Sequence, residues 1–258
     1  MEDSNRQWLL GVPVDPLGLP EVLERTWSWL DEPEGGLRHV VTVNPEFVMA
    51  ARRNARFRMV LANSALSTAD GVGIIWAARL LGLPIRERIP GVELVEGWAR
   101  LEHPNARLFL LGSGPGVAAA AAKVLRERFP TVQIAGTFAG SALPDGFEEI
   151  AEQLRQLRPT LLLVAFGHPR QDLWIAAHRE WLGTHGILIS AGVGGSFDYI
   201  SGRVPRAPAL MRRLGLEWLI RLVRQPWRWR RQLALPLFAM LVFREWARRL
   251  VRRPGSLG

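Results

Sequence analysis

The residues able to do chemistry sit in short loops, each following an apolar run. Ala69-Asp70-Gly71-Val72-Gly73 places one carboxylate among small and apolar neighbours. Partial burial away from a cation raises a carboxylate's proton affinity, which suits a general base. A helix cap would use the same residues. In Thr42-Val43-Asn44-Pro45-Glu46, Asn44 reads as an N-cap, Pro45 as the first helical residue and Glu46 as a match for the positive helix end. A helix N-terminus also attracts anions. Gly112-Ser113-Gly114-Pro115-Gly116 has the layout of a phosphate cradle, but Val117 stands at the third glycine of the dinucleotide fingerprint. In Gly167-His168-Pro169-Arg170-Gln171-Asp172, Gln171 falls in the first turn of the next helix, facing the strand ends. His168 has no partner at metal-ligand spacing. The densest glycine turn holds Gly192, Gly194 and Gly195. Arg203 and Arg206 follow it and suit either a diphosphate or a solvated linker.

These loops need elements to hold them. Strands are expected over Leu37–Asn44, Leu66–Asp70, Arg107–Gly112, Val132–Thr137, Thr160–Gly167 and Gly186–Gly192. Helical patterns cover Pro45–Asn63, Val72–Leu81, Val92–Leu101, Pro115–Phe129, Gly146–Leu157 and Pro169–Leu182. Strand-then-helix alternation predicts an α/β fold, a Rossmann-like and mostly parallel sheet with helices on both faces. Ligands then bind beyond the carboxyl ends of the strands, where every loop named above lies. After residue 202 the pattern changes. The expected division is an α/β domain over 1–202 and a basic helical appendage over 203–258, with helices at 209–224 and 226–252 flanking Pro226. Leu210, Leu214, Trp218 and Leu222 form an apolar stripe on the first of these. The stripe could pack on the domain, on a second copy or on lipid.

Charge follows the same division. Of 33 basic residues, only Lys123 is a lysine. Residues 203–258 carry fourteen arginines against Glu217 and Glu245, a net of +12, which leaves the body at −3. Such a tail calls for an anionic partner: a membrane surface, a nucleic acid or a phosphorylated substrate. Arginine beside tryptophan, as in Trp227-Arg228-Trp229-Arg230, suits a membrane interface. The run Leu233–Phe243 would span ~16 Å as a helix, about half a bilayer core, so it could dip into a membrane without crossing it. Met1-Glu2-Asp3-Ser4 is acidic where a secretory signal is basic, so a cytoplasmic protein is expected. The 258 residues contain no cysteine, which excludes disulfides, thiol catalysis and cysteine–zinc sites. No Asp-x-Asp pair occurs, so the usual metal–nucleotide clamp is missing. A metal-independent reaction is expected, with arginines and helix N-termini stabilising a leaving diphosphate.

Taken in order, the loops resemble the WecG/TagA/CpsF family of bacterial glycosyltransferases. The carrying segments are Thr42–Glu46, Ala69–Gly73, Gly167–Asp172, Gly192–Asp198 and Arg206-Ala207-Pro208, completed by Glu217-Trp218-Leu219 with Arg221, Pro226, Arg228 and Arg231. The resemblance implies transfer of a hexose, of the N-acetylmannosamine type or another, from a UDP-sugar to a polyprenyl-diphosphate-linked sugar, with inversion and without a cofactor. It places such a protein on the inner face of the cell membrane, in teichoic acid or exopolysaccharide synthesis. It implies Asp70 as base, Thr42, Asn44 and Gln171 as pocket residues, and Arg221, Arg228 and Arg231 as diphosphate-binding arginines that close over the site. Two positions depart from the family pattern: Asp172 stands where glutamate is usual, and Gly91-Val92-Glu93 where Gly-Thr/Ser-Asp is usual. Both keep the charge and move it by one methylene, which bears on sugar choice. Two other classes remain open to the residues alone. One is a nicotinamide-dependent oxidoreductase, on Gly112-Ser113-Gly114, and the other a nucleic-acid-binding protein, on the tail.

Overall fold

The computed structural model describes residues 5–206, positions 208, 211 and 222, and residues 233–251. Its centre is a six-stranded, all-parallel sheet. The strands are β3 (Arg38–Val43), β4 (Leu66–Ala69), β5 (Arg107–Gly112), β6 (Gln133–Phe138), β7 (Leu161–Ala165) and β8 (Ile189–Gly192), ordered β4-β3-β8-β7-β5-β6. All six were expected from the sequence. The inner strands β5 and β7 are almost continuous apolar runs because both sheet faces are covered. Alternate residues go to opposite faces. Val40, Leu108, Leu110, Leu161 and Leu163 join one core with α1 (Leu19–Leu30), α5 (Gly91–Arg100), α6 (Val117–Arg128) and α10 (Ser196–Ile200). Val41 and Val43 face α2 (Pro45–Arg53), α3 (Ala55–Ala62) and α4 (Val72–Leu81). On that same side, Phe109, Leu111, Leu162 and Val164 face α7 (Phe147–Leu157), α8 (Arg170–Ala177) and α9 (Arg179–Thr184).

Two expected helices are each divided. The pattern predicts one helix over 45–63, but Asn54 ends α2 and caps α3, its side chain accepting from the Phe57 N–H at 3.0 Å. The pattern over 169–182 breaks at His178, whose ring Nδ1 meets the Trp174 carbonyl at 2.9 Å. In both places a polar side chain supplies a local hydrogen bond that competes with the helical ladder.

An N-terminal hairpin of β1 (Gln7–Leu9) and β2 (Val12–Val14) lies beside edge strand β4. The Asp15 N–H donates to the Ser67 carbonyl at 2.8 Å, and Arg6 pairs with Asp15 at 2.9 Å. This cover blunts an edge open to unwanted pairing. The last described helix, α11 (Ala234–Val251), packs on α2 and α4 and buries Phe238 and Val242 in their core. Pro236 falls in its first turn, where the missing N–H costs nothing. Of the expected apolar stripe only Leu222 is among the described residues. Arg221, Arg228 and Arg231 lie outside them.

Candidate active site

A cavity of about 410 Å³ opens at the carboxyl ends of five of the six parallel strands. The loops after β3, β4, β5, β7 and β8 form its wall, and Leu235 of α11 closes one side. The volume is in the range that holds a small-molecule ligand. Thr42, Asn44, Asp70, Gln171, Gly194 and Gly195 line it together, as the sequence places them.

Asp70 ends β4 and is half-buried, its backbone N–H held by the Val43 carbonyl at 2.7 Å. Gly71 follows with φ +104°, a conformation L side chains rarely adopt, and turns the chain sharply into α4. A side chain on Gly73 would begin 2.8 Å from Cγ of Pro45. The two helices that start beside Asp70 therefore approach each other closely because Gly73 is bare. Their N-termini bring orphan N–H groups to the same end of the sheet.

Asn44 caps α2, its Oδ1 accepting from the Phe47 N–H at 3.0 Å, so capping and cavity lining coincide in one side chain. Thr42 is buried and its hydroxyl donates to the Gly192 carbonyl at 3.3 Å. Gln171 is only 1% exposed. Its Oε1 accepts two backbone N–H groups, from Gly167 and Gly194, both at 3.1 Å. Two donors fix which amide atom is the oxygen and brace the loops after β7 and β8 against each other. Gly192 must be bare, since a side chain there would begin against Gln171 and 2.6 Å from Asp172 Oδ1. Behind this brace Asp172 is fully buried, with Oδ1 3.3 Å from His39 Nε2.

The glycine loop after β5 has positive φ at Gly112, Ser113 and Gly116. Gly112 has φ +101° and its missing side chain admits the Ala165 backbone at 2.9 Å. Ser113, at φ +63°, is a strained non-glycine residue on the cavity wall. Gly112, Gly114 and Gly192 are not themselves on the wall. Arg203 lies over Gly114, its Nη1 2.9 Å from where a side chain there would begin. Arg206 is also off the wall and donates to Glu93 of α5 at 2.7 Å. Among the described residues the basic ones on the cavity wall are Arg88 and His168, the latter 3.4 Å from Glu46. The sequence reading missed Arg88 because it sits between α4 and α5, in a segment without periodicity. Its only signal was a basic residue two positions before Pro90, at the mouth of a helix. Asp198 and Tyr199 also line the wall and were missed as site residues. Among the described residues no three His, Asp or Glu side chains come together to hold a metal ion.

The model of the glycosyl transferase WecG/TagA/CpsF family matches residues 7–252. The chain belongs to this family. Among its curated relatives, an enzyme of Bacillus spizizenii is 32% identical over 219 residues, 84% of this chain and 82% of its own length. One of Staphylococcus aureus is 29% identical over 231 residues, 89% of each chain. Both are named N-acetylglucosaminyldiphosphoundecaprenol N-acetyl-beta-D-mannosaminyltransferase. The match spans nearly the whole chain, the five cavity loops included. The oxidoreductase and nucleic-acid readings have no counterpart among these relatives.

Proposed function

We propose that this glycosyltransferase moves an N-acetylmannosamine-type hexose from a UDP-sugar to a polyprenyl-diphosphate-linked N-acetylglucosamine. The names of the relatives support the acceptor and the sugar class. The observation that supports the mechanism is Asp70 on the cavity wall just after β4, with Thr42, Asn44, Arg88 and Gln171 around the same cavity. The Asp70 carboxylate takes the proton of the acceptor hydroxyl. The freed oxygen bonds to the anomeric carbon as the bond to the UDP phosphate oxygen breaks, and UDP departs with that electron pair. A single displacement of this kind inverts the anomeric centre. Charge on the leaving diphosphate is met by Arg88, by the N-termini of α2 and α4, and by Arg203 at the rim, together with Arg221, Arg228 and Arg231. No metal or cofactor is part of this reading. The acceptor's lipid tail makes the protein a peripheral one, working on an anionic membrane surface. No described helix is long and apolar enough to cross a membrane.

The test is UDP release from a panel of UDP-sugars with a short-chain polyprenyl-diphosphate-N-acetylglucosamine acceptor. One donor should give acceptor-dependent release. Asp70→Asn should slow it by about 10²–10⁴ while UDP binding persists. Release by Asp70→Asn at the wild-type rate would remove Asp70 from the role of base.

A further inference from the structure

A second cavity, of about 320 Å³, shares no residue with the first. Trp8, Leu10 and Gly11 of the hairpin, Arg52 of α2, and Leu241, Arg244, Glu245, Arg248 and Arg249 of α11 surround it. Arg249 is engaged, with Glu245 at 3.3 Å and the Leu81 carbonyl at 2.9 Å. Among the described residues, Arg52, Arg244 and Arg248 have no acidic partner and no hydrogen bond. Four guanidinium groups from two helices thus converge on one hollow with a single carboxylate to offset them. Such a cluster is repulsive until an anion enters it. The hairpin also spends strain here: Leu10 has φ +50°, where a tight hairpin turn ordinarily takes asparagine or glycine.

The surroundings decide which anion. Trp8 beside the hollow is 52% exposed. On the side of α11 away from Phe238 and Val242, Met240, Phe243, Leu250 and Val251 are all exposed. A soluble phosphate has no use for this apolar border, whereas tryptophan and arginine flanking an unpartnered apolar helix face belong at a bilayer surface. We propose that this hollow binds the headgroup phosphate of an anionic phospholipid while the outward face of α11 enters the acyl boundary. The proposal rests on the membrane association argued above and gives it an address. Leu235, on the catalytic cavity, and Arg248, on the hollow, are thirteen residues apart on one helix, ~20 Å along its axis. Seating α11 on the surface holds the catalytic mouth at headgroup level.

The test is sedimentation of the full chain with phosphatidylcholine vesicles, with and without phosphatidylglycerol. The triple variant Arg52→Gln, Arg244→Gln, Arg248→Gln is compared with wild type. Each arginine near an anionic surface contributes about fivefold, so the triple variant should bind anionic vesicles about a hundredfold more weakly. A control variant, Arg100→Gln, Arg126→Gln, Arg179→Gln, removes equal charge from α5, α6 and α9 and should keep most of the binding. Unchanged binding by the first variant, or an equal loss in the control, would overturn the proposal. Displacement from vesicles by inorganic phosphate at matched ionic strength would also overturn it, since the hollow would then be a soluble-anion site. Turnover of a water-soluble acceptor should be unaffected in the triple variant. If wild type turns over no donor, the glycosyl-transfer reading fails while the vesicle result still stands or falls by itself.

Discussion

The Gln171 brace gives a prediction whose size follows from its geometry. Gln171→Ala removes the one acceptor shared by the Gly167 and Gly194 N–H groups. An orphaned buried donor costs about 1–3 kcal/mol. Both glycines are half-buried, so water relieves part of that, and about 1 kcal/mol each is the appropriate end of the range. The side chain is buried against Gly192, and its loss leaves a void that adds to the cost. The total is about 2–4 kcal/mol, which in a domain of this size lowers Tm by ~5–12 °C. Calorimetry measures that shift. Hydrogen exchange adds a sharper readout, because one substitution should deprotect the loops after β7 and β8 together. A Tm change under about 1 °C would refute the reasoning. So would loss of protection in the β7 loop alone, since the brace would then not reach Gly194.

Two further substitutions probe the same framework. Gly192→Ala puts a methyl group 2.6 Å from Asp172 Oδ1 and against Gln171, and should cost about 1–3 kcal/mol by denaturant titration, with turnover impaired as the brace shifts. Phe238→Ala empties the buried contact of α11 on α2 and α4 and should cost ~3–5 kcal/mol. Its signature is early tryptic cleavage within Arg244–Arg249 while the sheet core stays resistant. If cleavage is as slow as in wild type, Phe238 is not what holds α11 down.

Much of this was legible because period and punctuation are local properties. The strand at Leu66–Ala69 and the helix over 72–81 were marked by a short apolar run, a Gly-x-Gly turn and Gly82 at the end. Asp70 followed, as the polar residue stranded between them. The helix breaks at Asn54 and His178 were not legible, because apolar periodicity runs through both and only a side-chain hydrogen bond interrupts the ladder. The hairpin went unread because its two strands have three residues each, too short for alternation to register. Arg88 escaped for lack of any period at all. Gln171 was read as a residue facing the strand ends, but its double acceptor role depends on Gly194, twenty-three positions away, and no spacing rule reports that distance. Arg206 sits in the basic stretch as expected, yet its bond to Glu93 is a long-range choice that charge counting cannot see.

The hydrogen bonds that tie the cavity loops also divide them. The Asp70 N–H holds the Val43 carbonyl, joining the loops after β3 and β4, while Pro45 nestles against Gly73. The Ser113 N–H holds the Ala165 carbonyl, and Gln171 holds Gly167 and Gly194, joining the loops after β5, β7 and β8. Between these two groups the hydroxyl of Thr42 reaches across to Gly192, and His168 meets Glu46 at 3.4 Å. The first group is one contiguous stretch of chain, residues 42–73. For an engineer redirecting such an enzyme to another sugar, that stretch is a natural cassette. It can be grafted whole from a relative with its internal ties intact, leaving Thr42 with Gly192 and Glu46 with His168 as the joints to preserve.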